Sequence, residues 1–243
     1  MRLRRWSLLA YGGLAYLTFL AAIAYGIGFL GDAWVAKTVD AGPAAPLWTA
    51  VALNVGLLGV FAVQHSLMAR DWFKRRLTAV VPAPAERSTY VLAASLALAA
   101  VYWGWRPIDG VVWAVRSPVL AALAWGLFAL GWLVALVATF EIDHARLFGL
   151  AQVRAAAGGD DLAEPGFETP GLYAHVRHPM MTGLLLAFWA TPRMTVGHLL
   201  LAVLTTGYVL VGVRLEERGL VAAHGKRYER YRQDVPMLVP RPF

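Results

Sequence analysis

Val119 to Phe140 reads VLAALAWGLFALGWLVALVATF, a run with no charge and no proline. A helix crosses a bilayer core with roughly 20 apolar residues, so this stretch is long enough to span one. Similar apolar stretches lie upstream, at about Ser7–Leu30, Trp48–Met68 and Ser88–Trp105. Downstream, the segments Pro179–Ala190 and Met194–Val213 are joined at Thr191-Pro192-Arg193. Met194–Val213 is long enough to cross. Pro179–Ala190 reaches only roughly 18 Å at 1.5 Å per residue, short of a core of roughly 30 Å, and needs protein or water around its ends. No span core holds Asp, Glu, Lys or Arg, and His198 is the titratable exception. These periods and lengths predict an all-α, polytopic helical membrane protein with five full spans and one short hairpin helix.

Composition agrees with that class. The chain has 243 residues, 59% hydrophobic and 15% charged, with a mean hydropathy of +0.56. It is expected to form a single integral-membrane domain over residues 1–243. Residues 1–140 make a four-span scaffold, 141–178 a cytoplasmic connector, and 179–243 the hairpin and C-terminal segment. The sequence contains no cysteine, which excludes disulfides, thiolate zinc sites, iron–sulfur clusters and cysteine nucleophiles. The start Met1-Arg2-Leu3-Arg4-Arg5 before an apolar run imitates a signal peptide. The run continues to Leu30, too long for that role, and is read as a retained first helix. Ala155 to Asp161 has the glycine content of a nucleotide loop, but no strand precedes it, so it is read as a linker.

Charge orients the spans. With the N-terminus inside, the inner segments hold eighteen of the twenty-two Lys and Arg residues. The outer loops hold only Lys37, Arg106, Arg116 and Arg193. The positive-inside rule then puts both termini in the cytoplasm. The net charge of +7 reports those loops rather than a nucleic-acid partner.

That topology gathers polar residues toward the cytoplasmic face. His65 ends the second span, and Glu141, Asp143 and His144 end the fourth. Arg177-His178-Pro179-Met180-Met181-Thr182-Gly183 opens the hairpin, and Glu216-Glu217 closes it ahead of His224-Gly225-Lys226-Arg227-Tyr228-Glu229-Arg230-Tyr231. An Arg-His pair beside a Glu-Glu pair suits a small charged molecule held next to lipid. Each residue also has an ordinary use. Pro179 is a common first residue of a helix, and Arg177 can anchor to head groups. Glu216 and Glu217 can pair with Arg214 and Arg218 along the helix. The tyrosines and His65 or His144 can be interfacial side chains. Metal or haem binding by the histidines is set aside, because no pair has the spacing of a zinc helix motif.

The order Arg-His-Pro-x-x-x-Gly, a helix, Glu-Glu and then Gly-x-x-Tyr-x-x-Tyr before Val-Pro resembles the isoprenylcysteine carboxyl methyltransferase superfamily of membrane enzymes. The wider chain is similar to the bacterial methanethiol S-methyltransferases. That likeness runs through Phe61-Ala62-Val63-Gln64-His65-Ser66, Glu86-Arg87-Ser88-Thr89-Tyr90, Ile142-Asp143-His144, Leu147-Phe148-Gly149-Leu150 and Phe188-Trp189-Ala190-Thr191-Pro192. The chain departs from the superfamily at Met181, where tyrosine is usual, so no role is carried over for that ring.

The resemblance implies S-adenosylmethionine as cofactor, with Tyr173, Arg177, His178, Pro179, Gly183, Glu216, Glu217 and Tyr228 as its binding residues. A guanidinium matches the cofactor carboxylate, and a glutamate matches its ammonium or ribose hydroxyls. Arg177 and one of the glutamates are expected to grip opposite ends of it. The resemblance further implies a small volatile thiol, methanethiol, as acceptor and dimethyl sulfide as product. His144, His65 and Asp143 are the candidates for moving the thiol proton, with Glu141 one turn before His144 to fix its tautomer if the helix continues. The expected setting is the bacterial inner membrane, with the site toward the cytoplasm and no obligatory protein partner. Two other readings stand beside this one. One is methylation of a larger lipid-borne acceptor, a prenylcysteine carboxylate or phospholipid amine. The other is a non-catalytic membrane partner of respiratory or nitrogen-oxide enzymes.

Overall fold

A computed structural model describes residues 2–162 and 166–241. Met1 of the leader-like start, connector residues 163–165, and the terminal Pro242 and Phe243 lie outside the described residues. In chain order the helices are α1 (Arg2–Leu30), α2 (Leu47–Met68), α3 (Asp71–Leu77), α4 (Glu86–Gly104), α5 (Pro118–Ile142), α6 (His144–Leu147), α7 (Leu150–Gly158), α8 (Pro179–Trp189), α9 (Val196–His224) and α10 (Lys226–Asp234). Two short strands, β1 (Val111–Ala114) and β2 (Arg193–Thr195), pair antiparallel.

Four of these helices are long and apolar enough to cross a membrane: Arg5–Leu30, Leu47–Met68, Pro118–Ile142 and Val196–His224. They leave large apolar side chains exposed, such as Leu120, Leu123, Leu127, Leu130 and Leu133 along α5. Such a stripe facing water would be an aggregation liability, whereas facing lipid it is the natural outer surface. The expected third span forms as α4, but it opens with Glu86-Arg87-Ser88-Thr89 and is not among the four. The short hairpin arm forms as expected, with Pro179 in its first turn.

Contacts gather the elements into two compact units rather than in chain order. The first holds α1–α4 with α6 and α7. Here α1 packs on α4 and α7, and α2 packs on α4. Asn54, fully buried in the apolar α2, donates to the Arg106 carbonyl at 2.8 Å and accepts from the Arg106 amide at 2.9 Å. A polar side chain is thus satisfied inside an apolar helix while it caps the end of α4. Near the other end of these helices Met68, Tyr90, Val91 and Phe148 form a core, joined by Tyr16 and Phe19.

The second unit holds α5, α8, α9, α10 and the β-ribbon. The second strand begins at Arg193, where the sequence suggested only a join at Thr191-Pro192-Arg193. Val111 pairs with Thr195 and Ala114 with Arg193, and an irregularity lies between Val111 and Trp113. The pairing satisfies backbone groups at a point where α8 stops short. His198 is buried in α9, and its Nε2–H donates to the Phe188 carbonyl at 3.0 Å.

The contact between α5 and α8 rests on two glycines. A Cβ on Gly131 would lie 2.6 Å from the Gly183 carbonyl and the Ala187 amide, and one on Gly183 would lie 2.6 Å from the Ala135 amide. Small residues allow helix backbones to approach this closely. Gly183→Ala is therefore expected to destabilise the protein by about 1–3 kcal/mol through overpacking. Gly207→Ala, which meets nothing within 4 Å, is expected to be neutral or slightly stabilising. Thermal unfolding in detergent compares the two. Equal midpoints would show that the close approach is dispensable.

Candidate active site

Arg177 and Glu217 centre the polar cluster of the second unit. Arg177 lies just before α8 and Glu217 lies on α9, and Arg177 Nε donates to Glu217 Oε1 at 2.6 Å. The side chains are 9% and 8% exposed, so each charge has lost its water and depends on the other. Arg177 Nη1 also donates to the Arg232 carbonyl at 3.0 Å and to the Val235 carbonyl. The amides of Arg177 and His178 donate to Pro236 and Met237 carbonyls at 2.9 and 3.2 Å. Thr182 Oγ1 donates to the Leu238 carbonyl at 2.7 Å. The C-terminal tail is therefore laced along the start of α8.

His178 is buried between the two glutamates. Its Nε2 is 3.2 Å from Glu217 Oε1, and its Nδ1 is 3.8 Å from Glu216 Oε2. Glu216 itself is 55% exposed. Arg232, 46% exposed, places Nε 3.6 Å from Glu217 Oε2. Sequence reasoning set Arg177 and one of Glu216 or Glu217 at opposite ends of a ligand, and the structure joins Arg177 to Glu217 directly. Two buried charges of opposite sign within reach neutralise each other before they turn to solvent. Glu216 and Arg232 are left as the exposed members. Pro179 opens α8, and Gly183 is spent on packing against α5.

An aromatic group lies beside these charges. The Phe167 ring is 5.2 Å from His224, 5.7 Å from Tyr228 and 5.5 Å from Tyr231, with the Arg227 guanidinium 5.3 Å from its centre. Tyr231 donates to the Tyr173 carbonyl at 2.6 Å, and Tyr173 donates to the Ala138 carbonyl at 3.4 Å. Tyr228 is 2% exposed, and its hydroxyl has no hydrogen-bond partner among the described residues. Burial pushes the Tyr231 phenol up to about 12. Burial, then the charge of Glu217, pushes Tyr228 up as well, and burial with Glu216 does the same to Tyr173. All three phenols stay protonated near neutral pH; Tyr173 and Tyr231 serve as donors.

Glu141 does not serve the role the sequence suggested for it. Helix α5 stops at Ile142, and Asp143 takes φ +129°, a region that side chains with a Cβ avoid. The helical continuation that would set Glu141 one turn before His144 is absent. Glu141 Oε2 accepts the Leu172 amide at 2.9 Å and holds the connector instead.

His65 and His144 both fall in the first unit, each against a tyrosine hydroxyl. Tyr16 on α1 lies 2.7 Å from His144 Nε2 with the rings edge-on, and His144 also packs on Phe148. Tyr90 on α4 lies 2.9 Å from His65 Nε2, and His65 stacks on Phe61. Phe148 and Tyr90 belong to one core cluster, so the two histidines flank the same aromatic core.

Comparison with known proteins follows these features along the chain. The family described as NnrU protein matches residues 53–230. A methanethiol S-methyltransferase of Mycobacterium tuberculosis is 52% identical over 240 residues, 99% of this chain and 98% of its own length. The chain belongs to the methanethiol S-methyltransferases of the NnrU family. Its likeness to the Crocosphaera subtropica methanethiol S-methyltransferase is 48% over 98% of this chain and 93% of that relative. A more distant relative, Nurim of Pan troglodytes, is 33% identical over 77% of this chain and 72% of its own length. No solved structure matches. In this member of the NnrU family, sequence reasoning passed over Tyr16, Tyr90, Phe167 and Arg232 as site residues. Tyr16 and Tyr90 stand in apolar helices where aromatics are ordinary, and Arg232 is one of many cations near the C-terminus.

Proposed function

We propose that the chain is an integral-membrane, S-adenosylmethionine-dependent methyltransferase that converts methanethiol to dimethyl sulfide. The observation that carries this reading is the near full-length likeness, 52% identical, to a methanethiol S-methyltransferase. The residues present suit the cofactor. Its amino-acid end is a zwitterion, and the exposed Glu216 and Arg232 flank the buried Arg177–Glu217 pair with one charge of each sign. Glu216 would hold the ammonium, and Arg232 the carboxylate. His178, Pro179 and Gly183 fix the start of α8 beneath them, and Tyr173 and Tyr228 close the aromatic side.

S-adenosylmethionine supplies, when bound, a methyl group on a positively charged sulfur. The chain's task is then to orient the acceptor sulfur, exclude water and remove the thiol proton. Transfer would join the acceptor sulfur to the methyl as the methyl leaves the sulfonium, and the thiol proton would have to go to a group of this chain or to water. A neutral imidazole accepts a proton through a ring nitrogen and can pass it to water. His144 is the base, with its ring held by Tyr16, and His65 held by Tyr90 is the second candidate. Asp143, in its constrained backbone conformation, sets where His144 begins. The charge asymmetry of the loops supports cytoplasmic termini, with five full spans, α4 among them, and the short arm α8 as a sixth membrane-embedded element, and a site open to the cytoplasm.

Calorimetry with S-adenosylhomocysteine on the detergent-solubilised chain tests the cofactor assignment. Glu216→Ala is expected to weaken binding roughly tenfold, the effect of removing a charge-assisted hydrogen bond of about 1.5 kcal/mol. Its unfolding midpoint should stay near the parental one, since the residue is exposed. Parental affinity in this variant would contradict the assignment of Glu216.

A further inference from the structure

The aromatic group around Phe167 has a feature that its present occupant does not satisfy. His224, Tyr228 and Tyr231 surround one ring at 5.2–5.7 Å, and Arg227 stands over it at 5.3 Å. Three aromatic side chains and a guanidinium make a favourable seat for a flat π-system. The Tyr228 ring belongs to this group, and its buried hydroxyl has no hydrogen-bond partner among the described residues. Buried hydroxyls are nearly always paired, and an unpaired one carries a desolvation cost. Phenylalanine has no polar atom to offer it.

We infer that His224, Tyr228, Tyr231 and Arg227 form a seat for a purine, the adenine of the cofactor, and that Phe167 fills this seat until the purine displaces it. The inference rests on the proposed cofactor reading and adds the subsite that takes its base. A purine supplies what Phe167 lacks. Its ring nitrogens accept from the Tyr228 hydroxyl, which stays a donor because its phenol is held protonated. Base stacking on aromatic and guanidinium faces replaces the contacts that Phe167 gives up. The Tyr231 hydroxyl is already committed to the Tyr173 carbonyl at 2.6 Å, so Tyr231 contributes its ring and Tyr228 its donor. Because the seat must first be vacated, Phe167 lowers the apparent affinity by the fraction of time its ring is in place.

Calorimetric titration of the full-length chain with S-adenosylhomocysteine, and displacement of that ligand by adenosine, provide the test. Tyr228→Phe is expected to weaken both ligands roughly tenfold, because only the hydroxyl is lost. Phe167→Ala is expected to tighten both by roughly three- to tenfold. Unfolding midpoints without ligand establish that both variants fold. Unchanged affinity in Tyr228→Phe, or weaker binding in Phe167→Ala, overturns the purine seat. If either result comes with a tenfold loss in Glu216→Ala, the cofactor reading stands and only the subsite falls. If the parental chain does not bind S-adenosylhomocysteine, both fall together.

Discussion

Replacing Arg177 with alanine is expected to destabilise the protein by about 3–5 kcal/mol, the usual cost of stranding one member of a buried ion pair. Glu217 is 8% exposed, with Arg177 at 2.6 Å as its principal partner. His178 at 3.2 Å and Arg232 at 3.6 Å offer partial compensation. The same substitution releases the Arg232 and Val235 carbonyls that Arg177 holds, and with them the tail along α8. The double variant Arg177→Met with Glu217→Leu removes both charges, and so is expected to recover most of the loss. Unfolding midpoints in detergent, converted through a denaturant series, measure both. A parental midpoint for Arg177→Ala would mean that the pair is dispensable to the fold and free to serve a ligand alone.

The second large effect concerns turnover. His144→Ala is expected to lower the rate of thiol methylation by roughly 10²–10⁴, the common contribution of a positioned general base. Cofactor affinity should not change. The residual rate should climb with pH as thiolate forms in solution and replaces the missing base; a free thiol of pKa about 8.5 is only slightly ionised at neutral pH. Tyr16→Phe removes the 2.7 Å hydrogen bond to Nε2 but keeps the ring. It should lose less activity and shift the pH profile rather than flatten it. Parental turnover near neutral pH in both His144→Ala and His65→Ala would remove the histidines from the mechanism.

Much of the architecture was legible because apolar runs measure themselves against a bilayer. The fourth span expected at Val119–Phe140 folds as Pro118–Ile142, and the short arm folds as Pro179–Trp189. The limits of such reading are also physical. The β-ribbon joins Val111–Ala114 to Arg193–Thr195, and no local pattern announces a pairing between segments so far apart in the chain. The end of α5 at Asp143 carries no glycine or proline, so nothing in the sequence predicts the break before His144.

The candidate site was legible as a set of residues but not as a set of bonds. Arg177, His178, Glu216 and Glu217 do come together. Which glutamate stays exposed depends on Arg232 and on the tail carbonyls from Val235 to Leu238, and helix spacing says nothing of these. Tyr16 and Tyr90 look like ordinary aromatics of apolar helices until the fold sets each against a histidine.

The central claim is methyl transfer from S-adenosylmethionine to methanethiol, and one measurement tests it most directly. Purified protein is supplied with cofactor carrying a deuterated methyl group and with a panel of thiols and lipid acceptors, and both headspace and lipid fractions are analysed by mass spectrometry. The account predicts dimethyl sulfide bearing one labelled methyl group, formed in step with S-adenosylhomocysteine and dependent on methanethiol. Label appearing instead on a prenylcysteine carboxylate or a phospholipid amine, or no S-adenosylhomocysteine with any acceptor, would contradict it.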